Sequence, residues 1–212
     1  MAEQPGRGAV ATPPAGADLA GLKAAAEHCR ACELWEPATQ TVFGRGPADA
    51  RMVLVGEQPG DVEDRQGAPF VGPAGRLLVE AVDAAGIDKT AVYVTNAVKH
   101  FRFTRSSSGR RLHQTPDLSH LTACRPWLAA ELNLIRPEMV VLLGASAAKT
   151  LLGQDFRVTR QRGKVLPGPN GSNARLLATL HPSAVLRTPP EARDGAFAGL
   201  VADLVVAREA LG

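Results

Sequence analysis

At 212 residues, 45% of them hydrophobic and 21% charged, the chain can bury one sizeable α/β core and is too apolar for wholesale disorder. No apolar run reaches the roughly 18–20 residues of a membrane span, and Met1 to Asp18, rich in Pro, Gly and Ala, lacks the apolar stretch of a signal peptide; a cytoplasmic protein with no membrane partner is expected. Lys and Arg outnumber Asp and Glu only 24 to 21, so the balance itself excludes little and the placement of charge says more.

Residues 1–17 are expected as a disordered tail ahead of a single domain, 18–212. Asp18 is placed to cap a helix running through about His28, which Leu19, Leu22 and the following alanines suit. Met52-Val53-Leu54-Val55 is a buried strand entering the tight turn Gly56-Glu57-Gln58-Pro59-Gly60. Pro73 to Ala85 is a helix, with Pro at its start, Leu77, Leu78 and Val82 on one face, and Gly86 beyond its end. Val92-Tyr93-Val94 is a second strand. Asn96 to Pro116 follows as an irregular stretch, long enough to be functional or disordered. Within it Arg102, Arg105, Arg110 and Arg111 fall in ten residues, interleaved with Phe101, Phe103 and Ser106-Ser107-Ser108-Gly109 and interrupted by no acidic residue. Guanidinium forks suit phosphate, so a polyanion partner fits this stretch better than a merely solvated loop. Asp117 to Ile135 is helical, broken or restarted at Pro126. Met139 to Leu143 is a third strand, Ala145 to Leu152 a short helix, Leu176 to Leu180 a fourth strand ending in His181-Pro182-Ser183, and Glu191 to Ala210 the closing helix. Alternating buried strands and helices predict a mostly parallel sheet covered on both faces. The loops that begin at Gly56, Asn96, Gly144 and His181 then gather on one sheet edge and build the site.

Three groups of residues could carry chemistry. Cys29 and Cys32 form a C-x-x-C, and Cys124 stands alone far downstream. Three cysteines make no disulfide framework, and no strand precedes the pair as a thioredoxin-type motif requires. A metal or cluster site completed by His28, His100 or His120 remains, and spacing suits zinc at least as well as iron–sulfur. The second group is Glu57, Asp61, Glu63 and Asp64, just past the first strand. Glu63 and Asp64 are expected on a solvated loop, whereas glycine and proline neighbours pin Glu57 near the strand end, where a carboxylate can stabilise a cation or orient a base. The third is Gly67-Ala68-Pro69-Phe70-Val71-Gly72-Pro73-Ala74-Gly75, whose small residues let a ligand approach; composition alone puts Phe70 in the core. Gly144 to Thr150 imitates a phosphate-binding loop only in its Lys-Thr pair and is a helix start.

Gly56-Glu57-Gln58-Pro59-Gly60, Ala68-Pro69-Phe70-Val71-Gly72, Asn96-Ala97-Val98-Lys99 and His181-Pro182-Ser183, in this order, resemble the motifs of the uracil-DNA glycosylase superfamily. The match is closest to its iron–sulfur branch. Gln58 where an alanine is usual, and the insertion Arg105 to His113 leading into Gln114-Thr115-Pro116, resemble the UdgX subgroup. The resemblance implies a three-layer α/β/α sandwich around a four-stranded parallel sheet. It also implies a [4Fe-4S] cluster held by Cys29, Cys32, His100 and Cys124, with His100 standing where the branch usually has cysteine. The partner implied is uracil-containing DNA, single-stranded DNA being preferred or tolerated, and a DNA-repair role follows. No feature demands a dimer, and a monomer is expected.

The resemblance also assigns roles. Gly56, Gln58, Asp61, Phe70, Asn96 and Arg187 would bind the substrate, with Phe70 stacking on a flipped uracil, Asn96 matching O4 and N3–H, and Arg187 following the backbone or filling the vacated space. Arg105, Arg110, Arg111 and Ser183 would contact DNA. His181 would donate to uracil O2 as the glycosidic bond breaks. His113 would attack C1′ in place of water, with Glu57 orienting it, and so leave a covalent protein–DNA bond after a single turnover. The alternatives are a turning-over glycosylase, a non-catalytic uracil-DNA reader, and a metal-dependent nuclease using Glu57, Asp61 and Asp64. For His120 only an exposed or half-buried helical position is expected.

Overall fold

The computed structural model describes residues 9–169 and 172–212. Four strands lie parallel in the order β2 (Val92–Asn96), β1 (Met52–Gly56), β5 (Met139–Leu143) and β7 (Arg175–Thr179), as expected of a doubly covered sheet. All five residues of β1 and of β5 are buried, the uninterrupted apolar pattern of strands covered on both faces. An unforeseen short strand, β6 (Val165–Pro167), adds an antiparallel edge beside β7.

Helices cover both faces. Met52, Leu54, Met139, Val141, Leu143 and Leu177 pack against α3 (Pro73–Ala84) and α8 (Pro190–Glu209) through Leu77, Leu78, Leu200 and Leu204. On the opposite face Val53, Val55, Val140, Leu142 and Leu176 meet α4 (Leu118–Ile135) and α5 (Ala145–Leu152) through Leu128, Ile135, Ala147 and Ala148. The result is the expected three-layer α/β/α sandwich. A third cluster joins α1 (Leu19–Ala26), Leu34 and Phe43 to Cys124 and Trp127 of α4. Among the described residues no helix is long and apolar enough to cross a membrane.

Several local expectations are revised. α4 runs unbroken through Pro126. The lost hydrogen bond is outweighed because Cys124, Trp127, Leu128 and Glu131, on either side of the proline, are all buried. The irregular stretch after β2 folds into a hairpin of β3 (Phe103–Arg105) and β4 (Arg111–His113). Of the tail, residues 1–8 lie outside the described residues. Residues 9–17 carry no helix or strand but are docked: Ala11 is buried and its N–H donates to Ala123 O at 2.9 Å. Its methyl is small enough to enter the third cluster.

Both sheet edges are poor templates for further pairing. Arg45 exchanges two backbone hydrogen bonds with Val94 on the outer side of β2, at 2.9 and 2.8 Å. β6 is three residues long and ends in a proline.

Candidate active site at the carboxyl edge of the sheet

Gly56 and Asn96 end adjacent strands in register. A Cβ on Gly56 would stand 2.3 Å from Asn96 Oδ1 and 2.7 Å from Phe70 Cζ, so only glycine lets the amide and the ring share this corner. Asn96 is buried, and its side-chain amide has no partner among the described residues, leaving donor and acceptor for a ligand. Phe70 is half-buried rather than core, with φ of 55°. A left-handed backbone at an aromatic residue costs on the order of 1–3 kcal/mol and marks a held conformation. Gly75 in the first turn of α3 permits it, since a Cβ there would lie 1.8 Å from Phe70 O.

The Phe70 ring stacks on that of His181, 6.5 Å between centroids. His181 caps α7 (Pro182–Arg187). Its Nδ1 accepts from Ser183 N–H at 3.1 Å and from Ser183 Oγ at 2.8 Å. Ser183 Oγ in turn accepts from Arg187 Nη1 at 3.2 Å, which turns its own proton toward His181. The imidazole proton therefore sits on Nε2. Burial, with Arg187 and His113 adding to it, pushes the pKa down to about 4, so the ring is a neutral N–H donor at pH 7. Ser183 and Arg187 thus serve this imidazole in the structure, beside any contact they make to DNA.

The loop after β1 brings Glu57 and Gln58 to the hairpin. Ser146 Oγ, at the start of α5, donates to Glu57 Oε2, while Glu57 Oε1 lies 3.5 Å from His113 Nε2. Gln58 is buried. Its Oε1 accepts from Arg102 N–H at 3.0 Å, which fixes the amide so that Nε2 faces His113 Nε2 at 2.9 Å, Gln114 O at 3.1 Å and Arg102 O at 3.2 Å. His113 Nε2 is then an acceptor with its lone pair toward this corner, and the ring proton is on Nδ1. Burial lowers the His113 pKa and Arg187 adds to the effect, against the opposing pull of Glu57.

Arg111 is not free for phosphate. It is ion-paired to Asp61 Oδ1 and, at 2.6 Å, to Asp64 Oδ2, and its guanidinium covers the Phe103 ring at 4.9 Å. Burial of that charge is tolerable only because two carboxylates meet it. Asp64 is accordingly fully buried and accepts from Thr39 N–H at 3.1 Å, not solvated. Glu63 is buried as well, accepting from Gly72 N–H at 2.8 Å ahead of α3. Asp61 is divided between Arg111 and Arg65 and faces the hairpin. Arg105 and Arg110 are exposed. An open polar cavity of about 260 Å³ is lined by Thr39, Arg65, Arg105 and Arg111.

Cys29 and Cys32 pack against the cluster that contains Cys124. Burial pushes the Cys124 thiol up to about 12 and raises that of Cys32. Cys124 Sγ accepts from Lys99 N–H at 3.3 Å. His100 is buried, and its pKa falls to about 4 through burial and the charge of Arg30. Its Nε2 lies 2.9 Å from Thr41 Oγ1, whose own proton goes to Ala26 O at 3.1 Å, so Nε2 carries the imidazole proton and Nδ1 the lone pair. Among the described residues no three His, Cys, Asp or Glu side chains converge tightly enough for one metal ion. His120 is buried, not exposed: it closes a capping box with Asp117 and meets Glu33 at 2.9 Å.

Two features had no reading in the sequence. Ser146 emerged from a segment treated as a helix start. Lys99 and Glu131 form a buried pair at 2.5 Å, with side chains 1% and 0% exposed. Lys99 Nζ also donates to Asn96 O at 2.8 Å and Thr95 Oγ1 at 2.7 Å, and Glu131 accepts from Tyr93 OH at 2.8 Å. The one available signal was an acidic residue within the apolar face of α4.

Residues 43–205 match the family described as the uracil DNA glycosylase superfamily. The chain is 38% identical over 162 residues to the Type-4 uracil-DNA glycosylase of Thermotoga maritima, covering 76% of this chain and 79% of that protein. It is 33% identical over 177 residues to the Type-4 uracil-DNA glycosylase of Sulfurisphaera tokodaii, covering 81% and 77%. The solved structure of Pedobacter heparinus SMUG2 superposes with a TM-score of 0.51 at 12% identity, over 76% of this chain and 77% of that one, a likeness of fold.

Proposed function

The chain belongs to the uracil-DNA glycosylase superfamily, and from that membership we propose that it excises uracil from DNA and transfers the sugar carbon to His113, in the manner of the UdgX subgroup. The observation that carries this reading is the His113 Nε2 lone pair, 3.5 Å from Glu57 and beside the corner formed by Gly56, Asn96, Phe70 and His181. Phe70 stacks on the flipped base and the free amide of Asn96 matches uracil N3–H and O4. As the N1–C1′ bond breaks, its electron pair leaves with uracil, and His181 Nε2–H donates to the charge growing on O2. The Glu57 carboxylate, one oxygen held by Ser146, lies beside the cationic sugar. His113 Nε2 supplies the pair for the new bond to C1′, and the ring then gives its Nδ1 proton to solvent. Gln58 surrenders its contact to His113 at little cost, because its two N–H groups retain two carbonyl acceptors.

Cys29, Cys32, Cys124 and His100 Nδ1 would hold a [4Fe-4S] cluster. The donors suit it: Cys29, Cys32 and Cys124 share one cluster, and His100 offers a buried, neutral imidazole. When bound, the cluster supplies a structural clamp between the segment after α1 and the start of the hairpin loop. Brown protein with iron and sulfide is the expected observation, and colourless protein with stoichiometric zinc overturns it. Arg105 and Arg110 would meet the DNA backbone, and Arg111 holds the hairpin to α2 (Asp61–Gln66).

The test is a labelled single-stranded oligonucleotide with one uracil, mixed with the protein and boiled in SDS. A shifted band absent from a thymine control is expected. Alkali-labile strand without a shift would mean a turning-over glycosylase; reversible binding without base loss would mean a reader.

Two further outcomes are expected. Because the His113 pKa lies below 6.5, the ring stays neutral across neutral pH. The adduct rate in a pH-jump assay should be flat from pH 8 to about 6.5 and fall roughly tenfold per unit once below that pKa. Protonation of His181 near 4 adds a donor, so it does not cause the fall. Gly56→Ala should cut uracil release at least ~100-fold by displacing Asn96 and Phe70 together, while circular dichroism stays native.

A further inference from the structure

We propose that the turn between α6 (Val158–Gln161) and β6 is a second grip on the DNA strand, binding backbone phosphates on one side of the flipped nucleotide. The inference rests on the uracil-DNA reading above and extends it to a surface opposite the hairpin. Arg157, Arg160, Arg162 and Lys164 fall within eight residues that contain no acid.

The turn is fixed in place. Arg162 is turned inward, its Nη2 2.7 Å from Asp203 Oδ2, an oxygen that also accepts from Thr179 Oγ1 at 2.5 Å. Gly163 has φ of +72°, and a Cβ there would lie 2.5 Å from Asp203 Oδ1. Its N–H donates to Ala178 O at 2.9 Å, which sets the turn beside the carboxyl end of β7, three residues before His181. With Arg162 committed, Arg157, Arg160 and Lys164 are exposed. Among the described residues none of the three is in an ion pair, and the side chains of Arg160 and Lys164 make no hydrogen bond. Unpaired cations on a braced turn cost stability through mutual repulsion unless an anion meets them.

The sheet order gives the spacing. The hairpin with Arg105 and Arg110 follows β2, at one end of the row; the basic turn precedes β6, at the other. Glu57, Ser146 and His181 follow β1, β5 and β7 between them. Three strand spacings, about 14 Å, separate the end of β1 from β6, a distance that stacked nucleotides rising about 3.4 Å each cover in roughly four. A strand with its uracil in the pocket and lying along this edge reaches the turn within that length on one side only.

The experiment measures uracil processing with protein in excess, on single-stranded oligonucleotides carrying one uracil and trimmed from either end. It compares the wild type with Arg160→Ala/Lys164→Ala. On long oligonucleotides the double variant should need on the order of tenfold more protein for half-maximal rate. Its salt slope should be shallower by about 1.4, as loss of two single-strand phosphate contacts requires. The maximal rate should not change. On substrates cut back from one end to two nucleotides beyond the uracil, the two proteins should coincide; cut back from the other end, they should still differ. Equal half-maximal concentrations and salt slopes on the long substrate overturn the proposal, as does a deficit that persists whichever end is trimmed. If the wild type processes no uracil at all, the uracil-DNA reading fails instead, and equilibrium binding of the same oligonucleotides to both proteins decides the grip separately.

Discussion

The His113→Ser protein is expected to release uracil from a single-uracil oligonucleotide and to leave no boiling-resistant adduct. Its imidazole is half exposed and packs on the core only through the edge of the Phe101 ring, 5.9 Å between centroids, so the fold should be little affected. Gln58 keeps Arg102 O and Gln114 O as acceptors. The vacated volume beside Glu57 admits water, which then attacks C1′ in place of the ring. His181, Asn96 and Phe70, which act on the leaving base, are untouched. Adduct should fall at least ~100-fold, because a positioned nucleophile is worth orders of magnitude over solvent, while uracil released per protein molecule rises above one. Denaturing gels and a count of free uracil check both halves. An adduct that survives in the serine variant would move the nucleophile elsewhere.

Glu131→Ala should be the most destabilising single change outside the hydrophobic clusters. It strands the Lys99 ammonium, 1% exposed, without its carboxylate, and removes the acceptor of Tyr93 OH. Breaking a buried pair from one side costs about 3–5 kcal/mol, which for a domain of this size lowers Tm by roughly 10 °C or more. Lys99→Met with Glu131→Leu should recover part of that loss, since no charge then remains buried. Uracil release by the double variant should stay depressed, because Asn96 O has lost the ammonium that holds it. Calorimetry beside single-turnover rates separates the two effects. A Glu131→Ala protein melting within 2–3 °C of the wild type would mean that water or a rearranged partner already compensates the pair.

The parallel strands and covering helices were legible because β1 and β5 are uninterrupted apolar runs and α3, α5 and α8 are bounded by glycine or proline, so local pattern and tertiary role agree. β6 and the hairpin strands are three residues each and partly polar, too short to show a period. Asp64 looked solvated because its partners, Thr39 and Arg111, lie 25 and 47 residues away; burial of a charge is decided by such distant groups. Pro126 looked like a break because the hydrogen bond it forfeits is local and the packing that holds α4 is not. Gly56, Glu57, Asn96, Lys99 and His181 stood out through family motifs, whereas Ser146, Glu131 and the pairing of Lys99 with Glu131 entered only through contacts.

The two sheet edges bear on how the molecule fails. Parallel sheets form slowly and expose strands on the way, and the five-residue apolar runs of β1 and β5 are the kind of segment that seeds cross-β aggregation. In the native sheet those two runs are interior, one edge is occupied by Arg45 and the other stops at Pro167. A partly unfolded chain that sheds the segment around Arg45 would uncover β2 first. Substitutions there should therefore raise turbidity on heating before they lower activity.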